Sequence, residues 1–135
     1  MLLRDKRIFI VEDNPENRVI AQMLLEASGA QVFVSRSGYD LLYQLENLAP
    51  IHLILLDLIL PNHTSGYDLY EAIRASPNYS QIPILAISST DPAEGIGEAR
   101  RRGFNGYIMK PINFFRFAEQ IAAALNGSPV WGNGL

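Results

Sequence analysis

Three carboxylates follow two short apolar runs of the sequence. Glu12 and Asp13 come directly after residues 8–11, and Asp57 ends the apolar run of residues 51–56. Carboxylates brought close together repel one another, so each is costly to ionise. A hard divalent cation such as Mg²⁺ removes that cost, because it prefers oxygen ligands. If the fold brings these runs together, the sequence therefore predicts an acidic metal site.

A hydroxyl and a lysine follow two later apolar runs. Ser88 comes after residues 83–87, and Lys110 comes after residues 107–109. A metal and a lysine can neutralise the charge of a transferring phosphoryl group, while a hydroxyl donates a hydrogen bond to it. A free carboxylate in the same site can act as the nucleophile. The four groups of residues together favour phosphoryl transfer to a carboxylate.

The elements that must position these residues alternate strictly between strand and helix. The predicted strands are residues 8–11, 31–34, 51–56, 83–87 and 107–109, and the predicted helices are about 15–27, 38–48, 66–75, 92–102 and 114–125. Parallel strands need crossover connections, which helices supply, so the pattern predicts one α/β domain with a doubly wound, five-stranded parallel sheet. In that class of fold a ligand binds at the carboxyl ends of the strands.

Composition and charge exclude several classes of protein. The 135 residues contain no cysteine and carry a net charge of -3, which argues against a disulfide scaffold, a thiolate metal site and direct nucleic-acid binding. Neither a signal peptide nor an apolar stretch long enough for a membrane span is present. We expect a cytoplasmic protein with one domain over residues 1–125 and a flexible, glycine-rich tail over residues 126–135.

In order and spacing, these motifs resemble the receiver domain of two-component response regulators over roughly residues 5–125. The matching positions are the acidic pair Glu12-Asp13, Asp57 with Pro61 four residues later, Ser88, Tyr107, and Lys110-Pro111. Glu12 stands where aspartate is commoner, and Ser88 where threonine is commoner, but both retain the chemistry required. The resemblance implies a CheY-like, flavodoxin-like fold with strand order 2-1-3-4-5.

The resemblance also implies a role for each residue. Asp57 would accept a phosphoryl group from a sensor histidine kinase or phosphotransfer protein, with Mg²⁺ as cofactor. The implied metal ligands are Glu12, Asp13, Asp57 and the backbone carbonyl of Ile59. Ser88 and Lys110 would contact the phosphoryl group, Tyr107 would be the aromatic switch residue, and Pro111 would follow a cis peptide bond.

The partners implied are a kinase and a downstream protein or effector domain, without nucleic-acid or membrane binding. The resemblance allows a dimer through the fourth helix, the fifth strand and the fifth helix. It implies no enzyme beyond Mg²⁺-dependent self-phosphorylation and dephosphorylation at Asp57.

Three other functions compete with this interpretation. A degenerate receiver that only binds partners is disfavoured because every charged site residue is present. A phosphohydrolase resembling the haloacid dehalogenases would need an aspartate two residues after Asp57, where Ile59 stands. A nucleotide or flavin site would need glycine in the loop after the first strand, and the sequence there is EDNPEN.

Two glycines lie inside the fourth predicted helix. Each of Gly95 and Gly97 costs about 1 kcal/mol relative to alanine in a helix interior. We therefore expect this helix to be loosely ordered before phosphorylation. Its ordering on phosphorylation would then be part of the signalling output.

Overall fold

The computed structural model describes residues 1–61 and 64–132 as one parallel sheet with helices on both faces. The strands are β1 (Arg7–Val11), β2 (Gln31–Ser35), β3 (Leu53–Asp57), β4 (Ile84–Ser88), β5 (Gly106–Met109) and β6 (Val130–Trp131), in the order β2-β1-β3-β4-β5-β6. The helices are α1 (Pro15–Ala27), α2 (Leu41–Leu48), α3 (Gly66–Ala75), α4 (Pro92–Arg102) and α5 (Phe117–Leu125), with a short 3₁₀ helix at Pro77–Tyr79.

Local sequence signals explain where several helices begin and end. Asn14 caps α1, because its side-chain oxygen accepts a hydrogen bond from the Asn17 N–H at 2.9 Å. Asp91 caps α4 in the same way, through the Ala93 N–H at 2.9 Å. Gly103 ends α4 with a φ of 99°, a left-handed conformation that glycine adopts without a steric penalty.

The core is divided into two layers by the sheet. Every residue of β3 and β4 is buried, which agrees with the unalternating apolar runs in the sequence and with central strands covered on both faces. One layer holds the apolar faces of α1 and α5, including Leu25 and Ile121. The other holds those of α2, α3 and α4, including Leu45, Ile73 and Ala99. Because helices pack on both faces of the sheet, the ends of its strands are held in fixed positions.

No helix in the described ranges is both long and apolar enough to cross a membrane.

The predicted strand order is correct for the first five strands, but the predicted number of strands is wrong. Val130 and Trp131 form a sixth strand, parallel to β5, and Val130 is fully buried. Gly106 permits this close approach, because a Cβ there would lie 2.7 Å from the Val130 carbonyl oxygen. The sheet thus extends past the expected domain boundary at residue 125. Flexibility of the whole 126–135 tail stays a prediction, and residues 133–135 lie outside the described residues.

The two glycines of α4 have different environments. A Cβ on Gly95 would lie 2.3 Å from the hydroxyl oxygen of Tyr107, whose ring is fully buried beneath the helix. A Cβ on Gly97 would approach only the Arg101 guanidinium, at 3.7 Å. Gly95 is therefore required by packing against Tyr107, while Gly97 only weakens the helix.

We predict opposite effects of alanine at these two positions on the free energy of unfolding. Gly97→Ala should raise it by about 1 kcal/mol through helix propensity. Gly95→Ala should lower it by about 1–3 kcal/mol, because the new methyl group overlaps the Tyr107 side chain. Urea denaturation of both variants measures the difference, and equal stabilisation by both would contradict the packing role of Gly95.

Candidate functional site

The parallel register of β1 and β3 brings the three predicted carboxylates together. Val11 lies beside Leu56 in the register, so Glu12 and Asp57 follow at the same edge of the sheet. One carboxylate oxygen from each of Glu12, Asp13 and Asp57 lies within 4.8 Å of the others. Glu12 and Asp57 are buried, and Asp13 is exposed. The site is therefore an acidic group of oxygen donors that opens towards solvent on one side.

Lys110 forms ion pairs with both buried carboxylates. Its Nζ donates a hydrogen bond to Asp57 Oδ2 at 2.9 Å and lies 2.8 Å from Glu12 Oε1. Burial alone would lower the pKa of Lys110, but the hydrogen-bonding contacts with Glu12 and Asp57 outweigh it and raise this pKa above its ordinary value. The lysine is held in its charged form between the two acids.

Glu12 carries the clearest electrostatic perturbation of the site. Burial and its contact with Asp57 raise the pKa of Glu12 to about 7, against the opposing effect of Lys110. Within the described part of the chain, its Oε1 accepts no hydrogen bond of good geometry, although Lys110 lies close. A buried carboxylate oxygen that has no well-aligned donor, beside two further carboxylates, is suited to a hard divalent cation. The residues present thus fit Mg²⁺.

Ser88 and Tyr107 are joined through the backbone of Thr90. Ser88 is buried at the end of β4, and its Oγ accepts a hydrogen bond from the Thr90 N–H at 3.0 Å. The Tyr107 hydroxyl donates to the Thr90 carbonyl oxygen, also at 3.0 Å. Tyr107 itself lies beneath α4 rather than in the acidic pocket. Any movement of Thr90 must therefore change the surroundings of both side chains.

An open pocket of about 460 Å³ surrounds Asp57. Its lining residues are Asp13, Asn14, Asn17, Asp57, Ile59, Ser88, Ser89, Lys110 and Pro111. The Ile59 N–H donates to Asp57 Oδ1 at 3.0 Å, which fixes the carboxylate against the following loop. The Lys110–Pro111 peptide bond is cis. The structure thus gathers all the predicted site residues except Tyr107 in or beside one pocket.

Two residues that the sequence analysis did not identify support the site. A Cβ on Gly66 would lie 2.2 Å from the Asp57 carbonyl oxygen, so α3 approaches β3 only because glycine begins it. The Arg18 guanidinium donates to the carbonyl oxygens of Glu12 at 3.2 Å and Asp13 at 3.4 Å. Arg18 lies on α1, about one turn after the start of this helix. That position was the sequence signal that could have identified it as a supporting residue.

Two curated proteins that are similar to this chain have names that refer to signalling. The polar-differentiation response regulator DivK of Brucella ovis is 34% identical over 123 residues, which cover 89% of this chain and 96% of that protein. The sensor protein GacS of Pseudomonas syringae pv. syringae is 32% identical over 121 residues, which cover 87% of this chain but 13% of that protein. The same kind of domain is thus present in a small regulator and within a much larger sensor.

Solved structures show the same architecture. A CheY-like response regulator receiver domain protein from Methanospirillum hungatei JF-1 superposes with a TM-score of 0.78 and 26% sequence identity. The superposition covers 90% of this chain and 94% of that one. The family model of the response regulator receiver domain matches residues 8–122. With an acidic pocket at the expected strand ends, the chain belongs to the response regulator receiver domain family.

Proposed function

We propose that Asp57 accepts a phosphoryl group from a sensor histidine kinase or a phosphotransfer protein, in a reaction that depends on Mg²⁺. The observation that carries this proposal is the placement of Asp57 in an open pocket, 2.9 Å from Lys110 and beside two further carboxylates. Glu12, Asp13, Asp57 and the Ile59 backbone carbonyl are the proposed metal ligands.

The chemistry follows from the charges of the pocket. A carboxylate oxygen of Asp57 attacks the phosphorus of phosphohistidine, so a P–O bond forms as the P–N bond breaks. Bound Mg²⁺ supplies positive charge that stabilises the oxygens of the transferring group. Lys110 supplies a second positive charge, and Ser88 can donate its hydroxyl hydrogen to a phosphoryl oxygen. Water later hydrolyses the acyl phosphate, which releases inorganic phosphate and restores the carboxylate.

The proposed output is a change in the surroundings of Ser88, Thr90 and Tyr107 that a downstream protein or effector domain recognises. Receiver domains are signalling proteins, so the only covalent chemistry proposed is at Asp57. A dimer through α4, β5 and α5 and a cytoplasmic location are further parts of the proposal. A degenerate receiver that only binds partners is disfavoured, because Glu12, Asp57 and Lys110 form an intact ion-pair cluster.

The first prediction from the proposed function concerns the phosphoacceptor. Incubation with acetyl phosphate and Mg²⁺ should add the mass of one phosphoryl group to the wild-type protein, and none to Asp57→Asn, because an amide is a poor nucleophile. Intact-protein mass spectrometry measures the modification. Asp68→Asn is the matched control, since Asp68 is exposed on α3 away from the pocket and should be modified like wild type.

Modification of Asp57→Asn to the wild-type extent would place the phosphoryl group elsewhere. Absence of modification from every variant, with Mg²⁺ present, would refute the proposed chemistry.

The second prediction concerns pH and metal affinity. A proton on Glu12, whose pKa is about 7 in the metal-free protein, competes with Mg²⁺ for the carboxylate. The apparent dissociation constant for Mg²⁺ should therefore be about tenfold larger at pH 6 than at pH 8 and level off above pH 8. Isothermal titration calorimetry at both pH values, in buffers of different ionisation enthalpy, measures the affinity and the proton released.

Glu12→Gln is the control for this prediction. It should bind Mg²⁺ more weakly at both pH values and without the pH-dependent change. Equal wild-type affinities at pH 6 and pH 8 would show that no proton on Glu12 competes with the metal.

A further inference from the structure

Residues 128–132 are here called the edge segment, and the last three of them, residues 130–132, lie along the outer edge of β5. Val130 and Trp131 pair with Gly106 and Tyr107, and the Gly132 N–H donates to the Tyr107 carbonyl oxygen at 2.8 Å. The segment therefore occupies backbone hydrogen-bonding positions that β5 would otherwise leave open. An open strand edge is a template for pairing with another strand.

Side chains from α4 and α5 contact the edge segment from the two faces of the sheet. Gln120 of α5 is buried, and its Nε2 donates to the Gly132 carbonyl oxygen at 3.2 Å. On the opposite side, the Arg100 guanidinium of α4 lies 4.7 Å from the centre of the Trp131 ring, within the range of a cation–π interaction. A buried amide, an arginine and a strand edge thus contact the same short segment.

Tyr107 connects the edge segment to the acidic pocket. Its backbone carbonyl binds Gly132, while its hydroxyl binds the Thr90 carbonyl oxygen. The Thr90 N–H in turn binds Ser88, which lines the pocket around Asp57. The segment and the pocket are therefore linked by three hydrogen bonds, which are joined by Tyr107 and by the backbone of Thr90.

We propose that the outer edge of β5 is a strand-binding groove, that the chain's own residues 128–132 occupy it, and that its occupancy is coupled to phosphorylation of Asp57. The coupling rests on the proposed function. The bound segment holds Tyr107 in its buried position, and Thr90 then presents Ser88 to the pocket. A phosphoryl group that engages Ser88 stabilises the same arrangement, so by reciprocity each event strengthens the other.

The edge segment pairs with β5 and therefore lies within the expected dimer surface of α4, β5 and α5. The edge segment lies between α4 and α5, so a partner that contacts β5 must either displace the segment or bind over it. Phosphorylation, by strengthening the segment's pairing, selects partners that bind over it.

Trp131 is the only tryptophan in the sequence, so its fluorescence reports on the edge segment in the full chain. Beryllofluoride with Mg²⁺ serves as the phosphoryl mimic, and ¹⁹F NMR shows its binding independently. On addition of the mimic, acrylamide quenching of Trp131 should fall by about twofold. In Tyr107→Phe the mimic should still bind, but quenching should not change, because the hydroxyl that contacts Thr90 is absent.

A second measurement tests the reciprocal effect. Gln120→Met keeps the side-chain length but cannot donate to Gly132, and should weaken binding of beryllofluoride about fivefold, as expected for loss of one buried hydrogen bond. Gln44→Met on α2 makes the same chemical change on the other face of the sheet and should leave the affinity unchanged.

The outcomes separate this inference from the proposed function. Failure of the wild-type protein to bind beryllofluoride or accept phosphate would refute the proposed function itself. Binding of the mimic with unchanged or increased Trp131 quenching would overturn the coupling alone. Quenching that depends on protein concentration would show that a second copy supplies the segment, and would overturn its assignment to the same chain.

Discussion

The pairing of Lys110 with Glu12 and Asp57 is the interaction on which the site depends. Parallel neighbours bring two acidic strand ends to the same edge of the sheet, and without a cation these buried charges would repel strongly. The fold supplies one positive charge from the end of β5, two strands away from β3. One lysine cannot balance three carboxylates. Burial and the neighbouring Asp57 raise the pKa of Glu12 despite Lys110, and within the described residues its Oε1 has no well-aligned donor. The remaining imbalance is the physical basis for proposing a divalent cation.

Much of this arrangement was predictable because it depends only on strand order and strand ends. Once alternating strands and helices indicate a parallel sheet, Asp57 and Lys110 must lie at its carboxyl edge whatever their side-chain conformations. The buried run of β3 was equally clear, since it lacks the alternation typical of a strand with one exposed face. The ion-pair distances and the perturbed state of Glu12 were not predictable, because they depend on side-chain positions across three strands.

The features missed by sequence reasoning depend on contacts that only the folded chain makes. β6 has two residues, too few for any periodicity, and it lies in a glycine-rich region. Gly95 was interpreted as a source of weakness in α4, whereas it also makes room for Tyr107, twelve residues further along. Gly66 likewise permits contact with the Asp57 backbone. For each glycine the decisive neighbour is known only once the fold is known.

The packing of Tyr107 limits how this side chain could move if it acts as the proposed switch. Its ring is fully buried, its hydroxyl is hydrogen-bonded, and Gly95 leaves no spare volume above it. Moving the ring outward would open a cavity beneath α4 and leave the Thr90 carbonyl without this donor, and both changes are costly. Tyr107 therefore cannot move alone, since α4 would have to settle into the space that it leaves. A partner that contacts α4 would then detect the position of Tyr107 without touching it.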